Sequence, residues 1–85
     1  PAARSVLRAA VDRLNALDAW DPAAVQAALK AAGQEAGASG RAFYLPVRVA
    51  LTGEEHGPPL HEVAVVQGRE AVLRHLADAL AAGDV

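Results

Sequence analysis

The chain has 85 residues, enough for one compact domain with one modest core. Charged residues make up 21% and the formal net charge is −2, so we expect neither a disordered chain nor a strongly cationic, non-specific nucleic-acid binder. The absence of cysteine excludes disulfides and zinc–thiolate sites. No apolar run approaches roughly 18 residues and no signal peptide is recognisable, so we expect no membrane partner.

The first 40 residues have the pattern of two helices followed by a Gly-rich connection. Apolar residues recur at three- and four-residue steps over Ala2–Leu17, which predicts the first helix. For the second helix, Asp21 suits the N-cap, Pro22 suits the first helical position and Gly33 is expected just past the end. Because the chain starts without Met and within a helical pattern, we expect it to be part of a longer protein.

The segment FYLPVRVAL gives conflicting signals. Apolar residues alternate with others at five positions, namely Phe43, Leu45, Val47, Val49 and Leu51. Alternation of this kind is typical of a strand, but a strand needs a partner and no second run in the sequence offers one. Pro46 would be tolerated at the start of a helical turn. We therefore predict a helix here, against the local periodicity, and expect Thr52 and Gly53 to end it.

The remaining sequence has two further helical patterns. The run LHEVAVVQG predicts a two-turn helix from Leu60 that is ended by Gly68, and REAVLRHLADALAAG predicts a final helix closed by Gly83. The prediction for residues 1–85 is a single all-α domain, a compact bundle of about five helices. Within this single domain, residues 1–40 would form the leading helices and a linker, and residues 41–85 would form the remaining helices and the loop between them.

No pattern typical of catalysis or metal binding is present. His56, His61 and Glu62 are close in sequence, but the prolines between the histidines keep the two rings off one helical face. No serine lies beside a candidate base in a recognisable motif, and no phosphate-binding or dinucleotide-binding glycine pattern occurs. We therefore expect no catalytic residue, no metal and no cofactor in this chain.

Arg48 and the loop that follows it are the candidates for binding. Apolar residues flank Arg48, so we expect its stem to be packed and its charge to have a designated partner. That partner would be a ligand or, alternatively, a carboxylate of Glu54, Glu55 or Glu62. The loop TGEEHGPP combines glycine with proline and could present backbone groups at low entropic cost, although a helix–helix corner without a ligand is an equal alternative.

Four motifs follow one another between Phe43 and Leu80. They are the run PVRVALTG at Pro46–Gly53, a Gly-Pro loop at His56–Leu60, a helix ending at Gly68, and a final Arg-Glu-x-Val-Leu-x-x-Leu helix at Arg69–Leu76. In their order and spacing these motifs resemble the C-terminal anticodon-binding region of bacterial glutamyl-tRNA synthetases. The resemblance covers about half of the chain, and residues 41–85 contain its core motifs.

The resemblance implies an all-helical bundle, sometimes called a helical cage, that recognises the anticodon loop of a tRNA. The parent protein would be a cytoplasmic glutamate–tRNA ligase that uses ATP and Mg²⁺, with its catalytic motifs in a nucleotide-binding domain outside this chain. The implied partner is tRNA for glutamate, and neither DNA nor a membrane is expected. The expected state is a monomer.

The resemblance also implies a site. Carried over by position, the anticodon contacts of the family fall on Arg48 and on the loop residues Gly57, Pro58, Pro59 and Leu60. Arg48 would pair with a base or stack on it, while the loop would offer backbone groups and an apolar wall. Pro59 stands where other members often have Glu or Gly, and this changes the hydrogen bonds that the loop can offer. The alternative function is a helical domain that binds a protein instead of tRNA.

Overall fold

Five α-helices account for most of residues 2–82, the part of the chain that a computed structural model describes. They are α1 (Ala2–Asn15), α2 (Pro22–Ala36), α3 (Arg41–Thr52), α4 (Leu60–Gln67) and α5 (Arg69–Ala82), and these residues contain no strand. The predicted all-α class with about five helices is confirmed. The predicted role of Gly83 in closing α5 lies outside the described residues.

Local signals place the start of α2, but its end differs from the prediction. The Asp21 side chain accepts a hydrogen bond of 2.8 Å from the Ala24 N–H, as an N-cap does. The expected end at Gly33 is wrong, because α2 continues to Ala36 and ends at Gly37, which has a left-handed φ of 69°. Gly33 is buried instead, and a Cβ there would lie 3.0 Å from the Ala38 carbonyl oxygen.

The ambiguous segment is helical, as predicted. Phe43, Val47 and Leu51 are buried at four-residue steps, which is the period of a helix face, whereas Val49 is an exposed member of the same alternating series. Pro46 does not lie in the first turn, because α3 begins five residues earlier. Its missing N–H therefore removes one backbone hydrogen bond from the helix interior.

One hydrophobic cluster joins all five helices. Phe43 is the largest fully buried side chain of this cluster. The helix α1 packs against α2, α3 and α5, and α4 packs against the same three helices. Within residues 2–82 no polar or charged residue is buried. None of the helices in these residues has the length and apolar character that a transmembrane span requires.

Side-chain hydrogen bonds tie the connections between helices to the bundle. The Trp20 indole N–H donates to the Ala64 carbonyl over 3.1 Å, and the Arg69 guanidinium lies 5.9 Å from the centre of the Trp20 ring. Arg69 also donates to the Asn15 carbonyl over 2.8 Å. These contacts connect the end of α1 and the start of α2 to the α4–α5 pair.

Gln67 makes a second tie between helix ends. Its amide N–H donates to the Leu51 carbonyl in the last turn of α3 over 2.9 Å, and its amide oxygen lies 3.1 Å from His75 Nδ1. The end of α3 is thereby attached to the end of α4 and to α5. The loop between α3 and α4 is consequently held at both of its ends.

Candidate functional site

The site begins where α3 ends. Gly53 has a left-handed φ of 76°, and its N–H donates to the Val49 carbonyl over 2.8 Å. The Thr52 hydroxyl donates to the Arg48 carbonyl over 2.9 Å and accepts from the Glu54 N–H over 3.0 Å. These bonds terminate the helix and turn the chain back along it. The predicted helix end at Thr52 and Gly53 is confirmed.

The returning loop contacts the guanidinium of Arg48. Nη1 of this half-buried side chain donates to the Pro58 carbonyl over 2.9 Å. A Cβ on Gly57 would lie only 3.2 Å from the same Nη1, so the absence of a side chain at Gly57 allows the loop backbone to approach. The loop therefore orients Arg48 through backbone groups alone.

Arg48 has no carboxylate partner among residues 2–82, so the alternative of an internal ion pair is wrong. Glu55 pairs with Arg41 over 3.1 Å instead, and the other ion pair in this part of the chain joins Arg13 to Glu35 over 2.7 Å. Because the Pro58 carbonyl is neutral, it directs the guanidinium without cancelling its charge. The other N–H donors of Arg48 can still bind a ligand.

A cleft of about 380 Å³ lies beside this arginine, between α2, α3 and the start of α4. We call it the Arg48 cleft and define it by its lining residues, which are Gln26, Leu29, Tyr44, Arg48, Pro59, Leu60 and His61. Three of the five residues predicted for the site therefore line one cleft, and Gly57 approaches Arg48 from the loop.

The structure gives different positions to the remaining loop residues. Pro58 does not line the Arg48 cleft; it lines a separate groove along α4 with Val63 and Val66, and reaches Arg48 through its carbonyl oxygen. Leu60 is only 4% exposed and belongs to the hydrophobic core, so it forms the floor of the cleft. Pro59 is exposed and supplies the apolar wall.

Sequence reasoning missed four residues of this cleft. Tyr44 could have been found, because it lies four residues before Arg48 and shares a helix face with it once α3 is accepted as a helix. The sequence pattern around His61 raises only the question of a metal ligand and does not connect this residue to Arg48. Gln26 and Leu29 come from α2, and no sequence signal connects them to Arg48. Within the described residues, no group of three or more His, Cys, Asp or Glu side chains could hold a metal ion.

Comparison with known proteins places the chain among anticodon-binding domains. A family model described as "Anticodon binding domain" matches residues 1–80. The glutamate–tRNA ligase of Bacillus mycoides (strain KBAB4) is 48% identical over 71 residues, which is 84% of this chain and 15% of that protein. The ligases of Bacillus thuringiensis (strain Al Hakam) and Bacillus licheniformis are 45% and 37% identical over the same length and shares. The chain thus spans about 15% of the length of these relatives.

Proposed function

Because this chain belongs to the anticodon-binding domain family, we propose that its Arg48 cleft binds the anticodon loop of a tRNA. The proposal rests on one observation: a neutral carbonyl orients the guanidinium of Arg48 and leaves its charge free for a ligand. The guanidinium lies at a cleft that an aromatic ring and a proline also line. Proteins recognise single-stranded RNA loops when bases are splayed out, stacked on side chains and hydrogen-bonded at their edges. The Arg48 cleft offers each of these contacts.

Each of the five proposed site residues has a distinct part. Arg48 would donate to a base edge or stack on a base, since its planar fork suits both contacts. Gly57 and Pro58 would hold the guanidinium in place through the loop backbone. Pro59 would contact the base as the apolar wall and Leu60 as the floor. A site of this kind depends on shape and on one cation, which is compatible with a net charge of −2.

We propose further that the whole protein containing this chain is a cytoplasmic, monomeric glutamate–tRNA ligase that uses ATP and Mg²⁺. Support comes from relatives that carry the name glutamate–tRNA ligase and match 84% of the chain. The role of this chain would be to bind and orient the tRNA. Residues 41–85 would supply most of the site, and α2 would supply one wall. We propose no catalytic role for residues 2–82.

Arg48→Ala in the full-length protein tests this proposal. We expect the change to weaken recognition of tRNA for glutamate by about 1–3 kcal/mol, because it removes a base contact. The loss should appear in kcat/KM for charging that tRNA, while the KM values for glutamate and ATP stay as in the wild type. Arg48→Lys should recover little, because an ammonium group lacks the planar fork.

Arg74→Ala is the matched control. It removes the same charge from an exposed position on α5 that does not line the Arg48 cleft, so it should charge tRNA normally. Unchanged charging kinetics in Arg48→Ala would overturn the proposed site. Capture of a protein partner without tRNA would instead favour the protein-binding alternative, for which the exposed Val66 on α4 is the strongest structural feature.

A further inference from the structure

Tyr44 presents an anchored aromatic ring to the Arg48 cleft. Its ring meets the buried Phe43 ring edge-on, with centroids 4.9 Å apart and an interplanar angle of 89°. Tyr44 itself is 36% exposed, unlike Phe43, and it lines both the Arg48 cleft and a neighbouring groove beside Gly33. Since the neighbouring ring is fixed in the core, a ligand that stacks on Tyr44 would meet an ordered surface.

Gln26 lies on the other helix that borders the same cleft. Both α2 and α3 pack against α1, and the cleft opens between them. Gln26 is exposed on α2, and the residues on either side of it, Val25 and Ala27, have no side-chain hydrogen-bonding group. Its carboxamide has both donors and an acceptor, so it can match a ligand edge that carries both. The buried Leu29 lies one turn further along α2 at the floor.

A nucleobase has the chemistry that these side chains fit. It is planar with a π-face that stacks on an aromatic ring, and its edge carries hydrogen-bond donors and acceptors. Arg48 follows Tyr44 by one helical turn, about 6 Å along the axis, so neighbouring nucleotides of one strand can reach both side chains. The cleft volume of about 380 Å³ is in the range of small-ligand sites.

We propose that Tyr44 and Gln26 form a subsite for one nucleobase of the anticodon loop. Tyr44 stacks on the base, and Gln26 hydrogen-bonds its edge and so contributes to the choice of base. This inference rests on the proposed function, because it deepens the same tRNA-binding site. It gives α2 a direct base contact, whereas the sequence motifs place the contacts on α3, the loop after it and the first residue of α4.

The test uses the full-length protein and four glutamate tRNAs. One tRNA is intact, and each of the other three has a single abasic nucleotide, at the first, second or third anticodon position. Tyr44→Ala is expected to weaken binding of the intact tRNA by about 5- to 150-fold, which is the range for loss of one stacked base. Tyr44→Phe, the matched control, keeps the ring and should bind nearly as the wild type does.

The abasic tRNAs identify the base. Where the base stacked on Tyr44 is already missing, Tyr44→Ala should cause no further loss, and with the other two abasic tRNAs it should cause its full loss. Gln26→Ala should show the same dependence on the same anticodon position. It should also reduce the discrimination between bases there.

Gln26→Ala keeps the test decisive if Tyr44→Ala fails to fold. Gln26 is exposed and alanine is the best helix former, so we expect this variant to keep the bundle. Wild-type binding by both variants, or a loss that is equal for the intact and all three abasic tRNAs, would overturn the subsite. If Tyr44→Ala is unfolded, wild-type binding and base discrimination by Gln26→Ala alone would overturn it.

The Arg48→Ala variant separates failure of the subsite from failure of the proposed function. If Arg48→Ala weakens tRNA binding while the Tyr44 and Gln26 variants bind normally, the subsite is wrong and the tRNA function stands. If none of the three variants changes tRNA binding, the proposed function itself fails. Arg74→Ala reports any effect that comes only from losing a positive charge.

Discussion

At the residue scale, the partner of Arg48 decides what this side chain can do. A carboxylate at hydrogen-bond distance would neutralise the guanidinium and compete with RNA for its donors. The Pro58 carbonyl orients the same group over 2.9 Å and leaves its charge for a ligand. Glu55 is engaged by Arg41 at the start of α3 and is not paired with Arg48.

Gly57→Ala tests whether the loop backbone positions Arg48. The added Cβ would lie 3.2 Å from Nη1, so the guanidinium must move by a few tenths of an ångström and its bond to Pro58 weakens. The φ of 159° at Gly57 also strains any residue that has a Cβ. We expect several-fold weaker tRNA binding by the full-length protein, with unchanged helix content by circular dichroism, because the loop is exposed.

The same substitution in an Arg48→Ala background is its control. If Gly57→Ala acts through the guanidinium, it should add nothing to the loss already caused by Arg48→Ala. Additive losses in the double variant would show that Gly57 acts by another route.

At the element scale, short-range hydrogen bonds decide where the helices begin and end. Asp21 caps α2, and Gly53 closes α3 with a left-handed backbone that its lack of a Cβ permits. The Thr52 hydroxyl adds a hydrogen bond to the helix before this end and one to the loop after it. The placement of Arg48 follows, because it lies one turn before the fixed end of α3.

Asp21→Ala measures how much the N-cap of α2 contributes to the free energy of unfolding. Loss of the 2.8 Å bond to the Ala24 N–H should lower the free energy of unfolding by about 1 kcal/mol, measured by urea denaturation. Asp18→Ala is the charge-matched control, because Asp18 is exposed in the α1–α2 connection and forms no cap; its effect should stay within about 0.5 kcal/mol. Equal effects of the two variants would contradict a capping role for Asp21.

At the scale of the whole molecule, a small core determines stability. A chain of this length has a free energy of unfolding of about 4–13 kcal/mol, so one large core side chain carries a sizeable part of it. Phe43 is the largest fully buried side chain, and it packs close to the buried Gly33 of α2 while lying beside Tyr44. The core and the Arg48 cleft are therefore joined through α3.

Phe43→Ala should lower the free energy of unfolding by about 3–5 kcal/mol, since it removes buried area and leaves a cavity. Urea denaturation of the chain, followed by circular dichroism, measures the change. Val66→Ala is the apolar control, because Val66 is 87% exposed and its truncation should change stability by less than about 0.5 kcal/mol. A small effect of Phe43→Ala would contradict a central position for this ring.

The sequence by itself determined the features that depend on neighbours along the chain. Asp21 with Pro22 predicted the start of α2, and Gly53 and Gly68 predicted the ends of α3 and α4, because caps and turns use groups only a few residues apart. The helical class of α3 was also predictable, although only from the lack of a strand partner for Val47 and its alternating neighbours. The motifs around Arg48 likewise indicate the family without any knowledge of the fold.

Only the tertiary structure decided the features that depend on residues far apart in sequence. It placed Gly33 within α2 beside the Phe43 ring, where an added Cβ would lie 3.0 Å from the Ala38 carbonyl oxygen. In the folded chain Arg48 hydrogen-bonds the Pro58 carbonyl and does not pair with a glutamate, and Gln26 lies at the same cleft. These outcomes depend on how the helices pack, and packing is set by the whole core at once, which no local pattern of residues encodes.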